Sequence, residues 1–574
     1  MSFPGAKSKS WVRAPLAVLA GISCITLVAS GQTTRPSVTP LDSVLFEYVR
    51  PLVPVHGIVD DGNRLLQLEG RAPLNGYLLR SASSLTPKLP GNKAIRAAVI
   101  APEFYSTTNS SIPFSFNDGS LWAGRGTSRR ITTGFRLEAG PFSMIVAPEF
   151  LDFQNDYFLL RDTVRFYSPP VIPERRGGGF VFPWYVAPYS IDLPTRMGPD
   201  PLHRTDAGQS TAMVTLRGTS FGISNENEWW GPGIRNALIL SNNAAGFPHL
   251  FVRTARPWKN RIGAVELRLL VGGLTESKWF DTTQANNLRS ISSFGFTFTP
   301  NAQKNLVIGG ARSVYATNKD GWGKIPWRLF DAFAATGRPN NRAQPDSSLY
   351  PGGRDQVYSF FGRWVFPNDG FETWAEWARY EWPLSLRDLF VTPNHTQGYT
   401  LGLQWARPTG LRAGKVRLEA EATSVEQSAT YRDRPLGSWY TSRRVIQGYT
   451  QRGEALGAAI GPGASSQWVA ADYMEPNWSL GVFAGRIRWN EDIHDTYGFP
   501  AYQGYCIHDI SILPGWRASA SSRFGYISAD VTYGNRLNAY FQEQSGCIVQ
   551  NSRLDIRNKT VTLTFGTFTP GRRR

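Results

Sequence analysis

Trp229-Trp230-Gly231-Pro232-Gly233 is followed shortly by the side-by-side amides Asn242 and Asn243. Neither helix nor strand patterning calls for that combination. It supplies the groups that hold a sugar: an indole face covers the C–H side of a pyranose, and amides and carboxylates take its hydroxyls. Tyr449, Gln451, Arg452 and Glu454 add a second such set, with an arginine suited to an acidic sugar. The eight residues Trp229, Trp230, Asn242, Asn243, Tyr449, Gln451, Arg452 and Glu454 are therefore the candidate ligand set. The competing reading is a tight loop folded over its own aromatic cluster, with the Asn pair capping backbone groups.

Catalytic chemistry is harder to assemble. Glu372 and Glu376 share one face of an alternating segment, but four strand positions separate carboxylates by about 13 Å, too far for a glycosidase pair. They read instead as interior acids facing Arg363, Arg486 or Arg488. Gly218-Thr219-Ser220-Phe221-Gly222 matches a nucleophile elbow formally, yet Val214, Leu216, Gly218 and Ser220 continue an ordinary alternation with no helix behind. The six histidines are scattered without metal-binding spacing, and no phosphate-cradling glycine loop precedes a helix. The expectation is a non-catalytic protein without cofactor or metal.

The elements that would position these groups show a two-residue beat. Val265-Glu266-Leu267-Arg268-Leu269 and Val416-Arg417-Leu418-Glu419-Ala420-Glu421 alternate apolar with charged residues, as do Gly485-Arg486-Ile487-Arg488-Trp489 and, with threonines, Thr560 to Phe565. Each such strand separates two environments. Segments of about 9 to 12 residues suit tilted membrane strands better than sandwich strands. Aromatics recur near strand ends, as in Trp364 with Phe366 and Tyr399 with Trp405. About 16 to 18 strands fit, giving an all-β, large antiparallel transmembrane barrel over 111–570. Three segments rich in Pro, Gly, Arg and Asp, about 150–210, 316–354 and 424–444, read as surface loops or lumen plugs. Residues 32–110 lack clean alternation and read as a small, partly helical periplasmic segment.

Composition narrows the setting. Aromatics at 13% against only 18% charged residues favour strands over helices, and no later run is long and apolar enough for a membrane helix. Residues 1–31 have the form of a cleaved signal peptide: Lys7, Lys9 and Arg13, an apolar run from Ala14 to Ala29, then small residues. A lipoprotein reading through Cys24 lacks the expected Leu. The exported chain then holds Cys506 and Cys547, either one disulfide between late loops or two separate thiols. A net charge of +17, mostly from Arg, suits an anionic surface or polymer such as lipopolysaccharide phosphates or an acidic polysaccharide; nucleic acid is not expected outside the cell.

Several motifs are similar to segments of the Wzi-type capsule-assembly proteins. They are the Trp230–Ala244 run, Gly370-Phe371-Glu372-Thr373-Trp374-Ala375-Glu376-Trp377-Ala378, Gly448-Tyr449-Thr450-Gln451-Arg452-Gly453-Glu454-Ala455-Leu456-Gly457, and Gly461-Pro462-Gly463 with Ser466-Gln467. The resemblance implies an outer-membrane β-barrel with a periplasmic helical element. It further implies a lectin that holds or organises capsular or extracellular polysaccharide at the cell surface. The chain departs from the pattern in its broken N-terminal segment, in its basic balance and in the Thr569–Arg574 tail after Phe568. A monomer is expected, and a porin or solute channel is the alternative, in which the lumen charges line an open passage.

Overall fold

The computed structural model describes residues 52–158, 185–186, 189–281, 283–334, 336, 353–410, 413–432, 437–492, 508–541 and 555–567. The signal-peptide reading and the Cys506–Cys547 pairing both lie outside these residues.

Among the described residues, eighteen antiparallel strands close into a barrel. The alternation written in the sequence becomes the barrel's two surfaces. On Lys415–Ser424, Arg417, Glu419 and Glu421 are buried in the lumen while Leu418 between them is 42% exposed on the outer wall. Leu401, Leu403, Val469, Leu480, Val482, Leu563 and Phe565 extend the same apolar outer belt. Only a hydrocarbon solvent lets such a belt coexist with a charged interior, so this is a transmembrane β-barrel. Trp364 packs on Phe366, and Phe366 on Phe371, where the Arg354–Phe366 strand turns into the next.

Short turns join the strands at one end, for example Pro300 to Leu306 and Glu475 to Trp478, and long segments join them at the other. Closure involves a strand not expected from the sequence. Ile95–Asn109 pairs with Gly126–Ala139 on one side and with Ile556–Thr567 on the other, so the barrel begins at Ile95 rather than at 111. A register shift between Ile100 and Glu103, next to Pro102, explains the concealment. Val99 and Phe104 are both exposed outward although their numbers differ in parity, so the alternation changes phase mid-strand.

The partly helical N-terminal segment packs against the inner wall. Leu65 and Leu68 of the helix Ile58–Leu68 (α1) pack on Val365 and Ala406, and Lys415 pairs with Glu69 at 2.5 Å. Leu79–Ser81 then forms a two-stranded ribbon with Glu228–Trp230. The main apolar core is thus a plug within the lumen, built from Leu78, Trp230, Leu238, Ile239, Trp439, Tyr440 and Tyr449 against inner-wall residues such as Ile291 and Phe361. Of the segments expected as loops or plugs, the described part of 424–444 contributes Trp439 and Tyr440 to this core.

Candidate functional site: the plugged lumen and the long-loop rim

Residues 225–248 leave the barrel at the long-loop end, descend into the lumen and return to the strand His249–Thr254. Wall acids hold the descending backbone. The Glu421 carboxylate accepts from the amides of Ile234, Arg235 and Asn236 at 2.6, 3.1 and 2.8 Å. Glu376 accepts from Leu238 N at 3.4 Å and lies against Gly231. Gly231 has φ 121°, and a Cβ there would stand 2.9 Å from the Glu376 carboxylate. The Gly-Pro-Gly turn is therefore shaped to bring bare backbone onto lumen carboxylates.

Glu372 joins plug to wall. It accepts from Arg64 Nε of α1 at 2.6 Å and from Arg363 Nε and Nη2 of the neighbouring strand at 2.9 and 2.5 Å. Arg64 also donates to Pro232 O at 2.6 Å and stacks over Trp374, so one guanidinium ties helix, turn and wall together. Arg268 plays a similar part, donating to Glu228 and to Ser81 Oγ across the lumen ribbon.

The expected Arg363–Glu372 pair is thus present, and Glu376 faces loop backbone rather than an arginine. Arg486 and Arg488 are not lumen charges. The pairings Trp468↔Gly485 and Ser466↔Ile487 turn buried Ile487 inward, which places both arginines on the outer phase of the strand. Arg486 donates to Gln467 Oε1 at 3.1 Å, and Arg488 pairs with Glu426. The two-residue beat was correct there and its phase reversed, because the apolar residue is the one the plug requires.

The eight candidate ligand residues lie mostly inside the plug. Trp229 stacks on His56 at 4.9 Å and donates from Nε1 to Gly233 O, and Trp230 donates to Glu228 at 3.0 Å; both indoles are fully buried. Burial, reinforced by Arg235 and Arg80, pushes His56 down to about 4, so it stacks as a neutral ring. Asn242 donates to Asn117 O at 3.0 Å and Asn243 to Ala455 O at 2.9 Å, tying the descending segment to two others. Tyr449 stacks on Tyr440, whose hydroxyl donates to Leu238 O at 2.9 Å. Gln451 accepts from Thr275 N at 2.8 Å, and Arg452 pairs with Asp206.

Two residues of the set reach a common cavity. Asn243 and Glu454 line a space of about 210 Å³ at the long-loop rim, together with Trp122, Trp489, Tyr540 and Arg536. Arg536 stacks between Tyr540 at 4.2 Å and Trp489 at 5.2 Å and is held by Asp509 at 2.6 Å. Burial raises the Glu454 carboxyl to about 8, with Arg204 opposing and Asp118 adding, so near neutrality it carries its proton and can donate a hydrogen bond. A larger cavity of about 490 Å³ runs beside α1 along the inner wall and is lined by both signs of charge, including Glu103, Arg130, Arg235, Arg417, Asp472 and Arg517.

No family model matches this sequence, and no curated protein matches it either. Among solved structures the chain is similar to the Escherichia coli outer-membrane protein Wzi, described as a carbohydrate-binding β-barrel involved in group 1 capsule assembly. That match has 12% identity, 81% of this chain and 84% of that one covered, and a TM-score of 0.49. It is also similar to Pseudomonas aeruginosa OccK2 (OpdF), with 9% identity, 83% and 98% covered and a TM-score of 0.37. A loop-deletion mutant of OmpT from Vibrio cholerae aligns at 8% identity, 83% and 100% covered and a TM-score of 0.28.

Trp122, Tyr540 and Arg536 of the rim cavity were not singled out from sequence. They sit in two separate stretches, Trp122 in one and Arg536 with Tyr540 in the other, and no local pattern links the two.

Proposed function

We propose that the protein is an outer-membrane barrel, exported by a cleaved signal peptide. In this reading it binds acidic extracellular or capsular polysaccharide non-catalytically and, as a monomer, helps retain the polymer at the cell surface. One contrast carries the reading. A fully buried apolar plug around Trp230, Trp439, Tyr440 and Tyr449 occupies the middle of the lumen, whereas aromatic, amide, carboxyl and guanidinium groups gather at the long-loop rim. Long loops face outward in barrels of this kind, so the rim meets surface polymer first. The motif resemblance to Wzi-type proteins supplies the substrate class. Trp122, Trp489 and Tyr540 would cover sugar faces, Asn243 and protonated Glu454 would take hydroxyls, and Arg536 would add attraction for an acidic sugar.

The charge-lined cavity of about 490 Å³ favours the second reading, a solute channel. Two measurements on the refolded full chain separate them: binding to acidic and neutral polymers at two salt concentrations, and conductance in planar bilayers. Binding of an acidic polymer that weakens with salt and with Trp489→Ala, without steady current, is the expected result. Large steady currents with no polymer binding would sink it.

A further inference from the structure

The segment between the strands Leu306–Thr317 and Arg354–Phe366 starts at the long-loop end, yet its first part folds back over the outside of the barrel. Its helical stretch Trp322–Phe333 turns Ile325, Leu329 and Ala332 toward the wall. The wall is shaped to receive it. Gly273 lies on the outer phase of its strand, and a Cβ there would stand 2.2 Å from the Trp322 indole. Outward-facing Ser292 donates from Oγ to Leu329 O at 2.7 Å and accepts from Ala332 N at 3.0 Å. Outward-facing Arg312 donates to the carbonyls of Ala332 and Ala334, both at 2.8 Å. Glycine, serine and arginine thus stand where the bare belt elsewhere carries leucine and valine.

The far side of this helix is also apolar. Trp327 is 84% exposed and Phe330 68%, with exposed Lys324 near them, while Trp322 and Phe333 reach the wall at Gly273 and Phe294 and keep their other edges exposed. An amphipathic helix seated on a protein wall ordinarily shows water a polar face; this one shows aromatic rings. The next long segment repeats the device. Trp382 stacks on outward-facing Tyr358 at 4.3 Å and lies under Arg312, and the short helix Leu386–Val391 then exposes Leu386, Phe390 (79%) and Val391. Exposed Phe360 and Ile308 on the neighbouring strands continue the patch into the lipid-facing belt.

We infer that Trp322–Phe333 and Leu386–Val391 form a lipid anchor, a collar on the outer wall that sinks its rings into the interfacial layer of the leaflet on the long-loop side. The occupant is membrane lipid, because the patch is continuous with a surface that already faces acyl chains. Trp and Phe interleaved with Lys324 and Arg387 are the side chains that favour the boundary between acyl chains and anionic headgroups. The collar ties two long segments to the membrane surface, so the rim above them keeps a defined height over the bilayer.

The test uses the full chain refolded into phosphatidylcholine–phosphatidylglycerol vesicles, with p-benzoyl-phenylalanine in place of Trp327 or, separately, Phe390. Folding is checked by heat-modifiable migration, and adducts are identified by mass spectrometry. The same group at Val482, in the exposed belt, is the lipid-facing control, and at exposed Lys304, in a short turn, the water-facing control. Phospholipid adducts at 327 and 390 in yields close to those at 482 are expected. Gly273→Val, which displaces Trp322, should lower the yield at 327 and leave that at 482 unchanged. A covalent dimer would assign the patch to a second copy, and yields no higher than at 304 would place it in water; either result overturns the inference. An unchanged yield at 327 in Gly273→Val would overturn the seating of the helix on the wall.

Discussion

Glu372→Ala removes one carboxylate that serves two guanidiniums and through them three parts of the molecule. In the native protein Arg64 and Arg363 direct three hydrogen bonds to it, and all three side chains are buried. Charge-assisted bonds contribute about 1.5–3 kcal/mol each, which would sum to well over 4 kcal/mol. The loss is smaller than that sum, because Arg64 keeps Pro232 O and its stack on Trp374, and Arg363 keeps Gln67 Oε1. What remains is two buried cations without their counter-charge, for which about 3–5 kcal/mol is the usual cost. Arg64→Leu should cost less, since Glu372 retains both contacts to Arg363. Urea unfolding of the protein in vesicles measures the stability, and planar-bilayer recording reports whether loosening the plug lets ions through. Glu372→Ala should lose about 3–5 kcal/mol and open intermittent currents. A loss below about 1 kcal/mol with a silent bilayer would mean that the cluster behaves like a solvent-exposed ion pair, refuting the account of how the plug is held.

Three further outcomes follow from the same geometry. Trp230→Ala leaves a cavity in the middle of the plug and should cost about 3–5 kcal/mol, read by the same unfolding experiment. Gly402→Val places a methyl group where the Trp374 indole now lies, with a Cβ contact of 2.2 Å, and should lower stability by about 1–3 kcal/mol and disturb the stack with Arg64, visible in near-UV circular dichroism. Glu454 has a folded pKa of about 8 against an ordinary 4.5, so the folded state holds a proton that the unfolded chain releases between these values, and its contribution to stability falls as pH rises from 4.5 to 8. Melting curves at pH 6 and 8.5 should therefore differ more for the wild type than for Glu454→Gln, and binding of an acidic polymer should weaken above pH 8 only in the wild type.

The barrel was legible because alternation is a local property. Val416 to Glu421 states on its own that successive side chains meet different solvents, and each neighbouring strand repeats the statement. Where a bulge changes the phase, as at Ile100–Glu103, the same local signal fails, and the strand Ile95–Asn109 is visible only through its partners. The signal also carries no sign: Arg486-Ile487-Arg488 has the correct period, but which residue faces the lumen depended on pairing with Trp468 and Ser466.

The candidate site divides along the same line. The unusual Trp, Gly-Pro-Gly and Asn run announced itself as a special segment, since ordinary strands and turns have no need of it. Whether its rings meet a ligand or one another was a question of distances between residues far apart in the chain. His56 stacked on Trp229 and Glu228 holding the Trp230 indole answered it in favour of packing for both rings. The sequence alone determined that this is a two-surfaced barrel, because burial periodicity is encoded residue by residue. Only the tertiary structure decided what fills it and which groups gather at its rim, because those depend on contacts made across more than two hundred residues, whose partners no local pattern names.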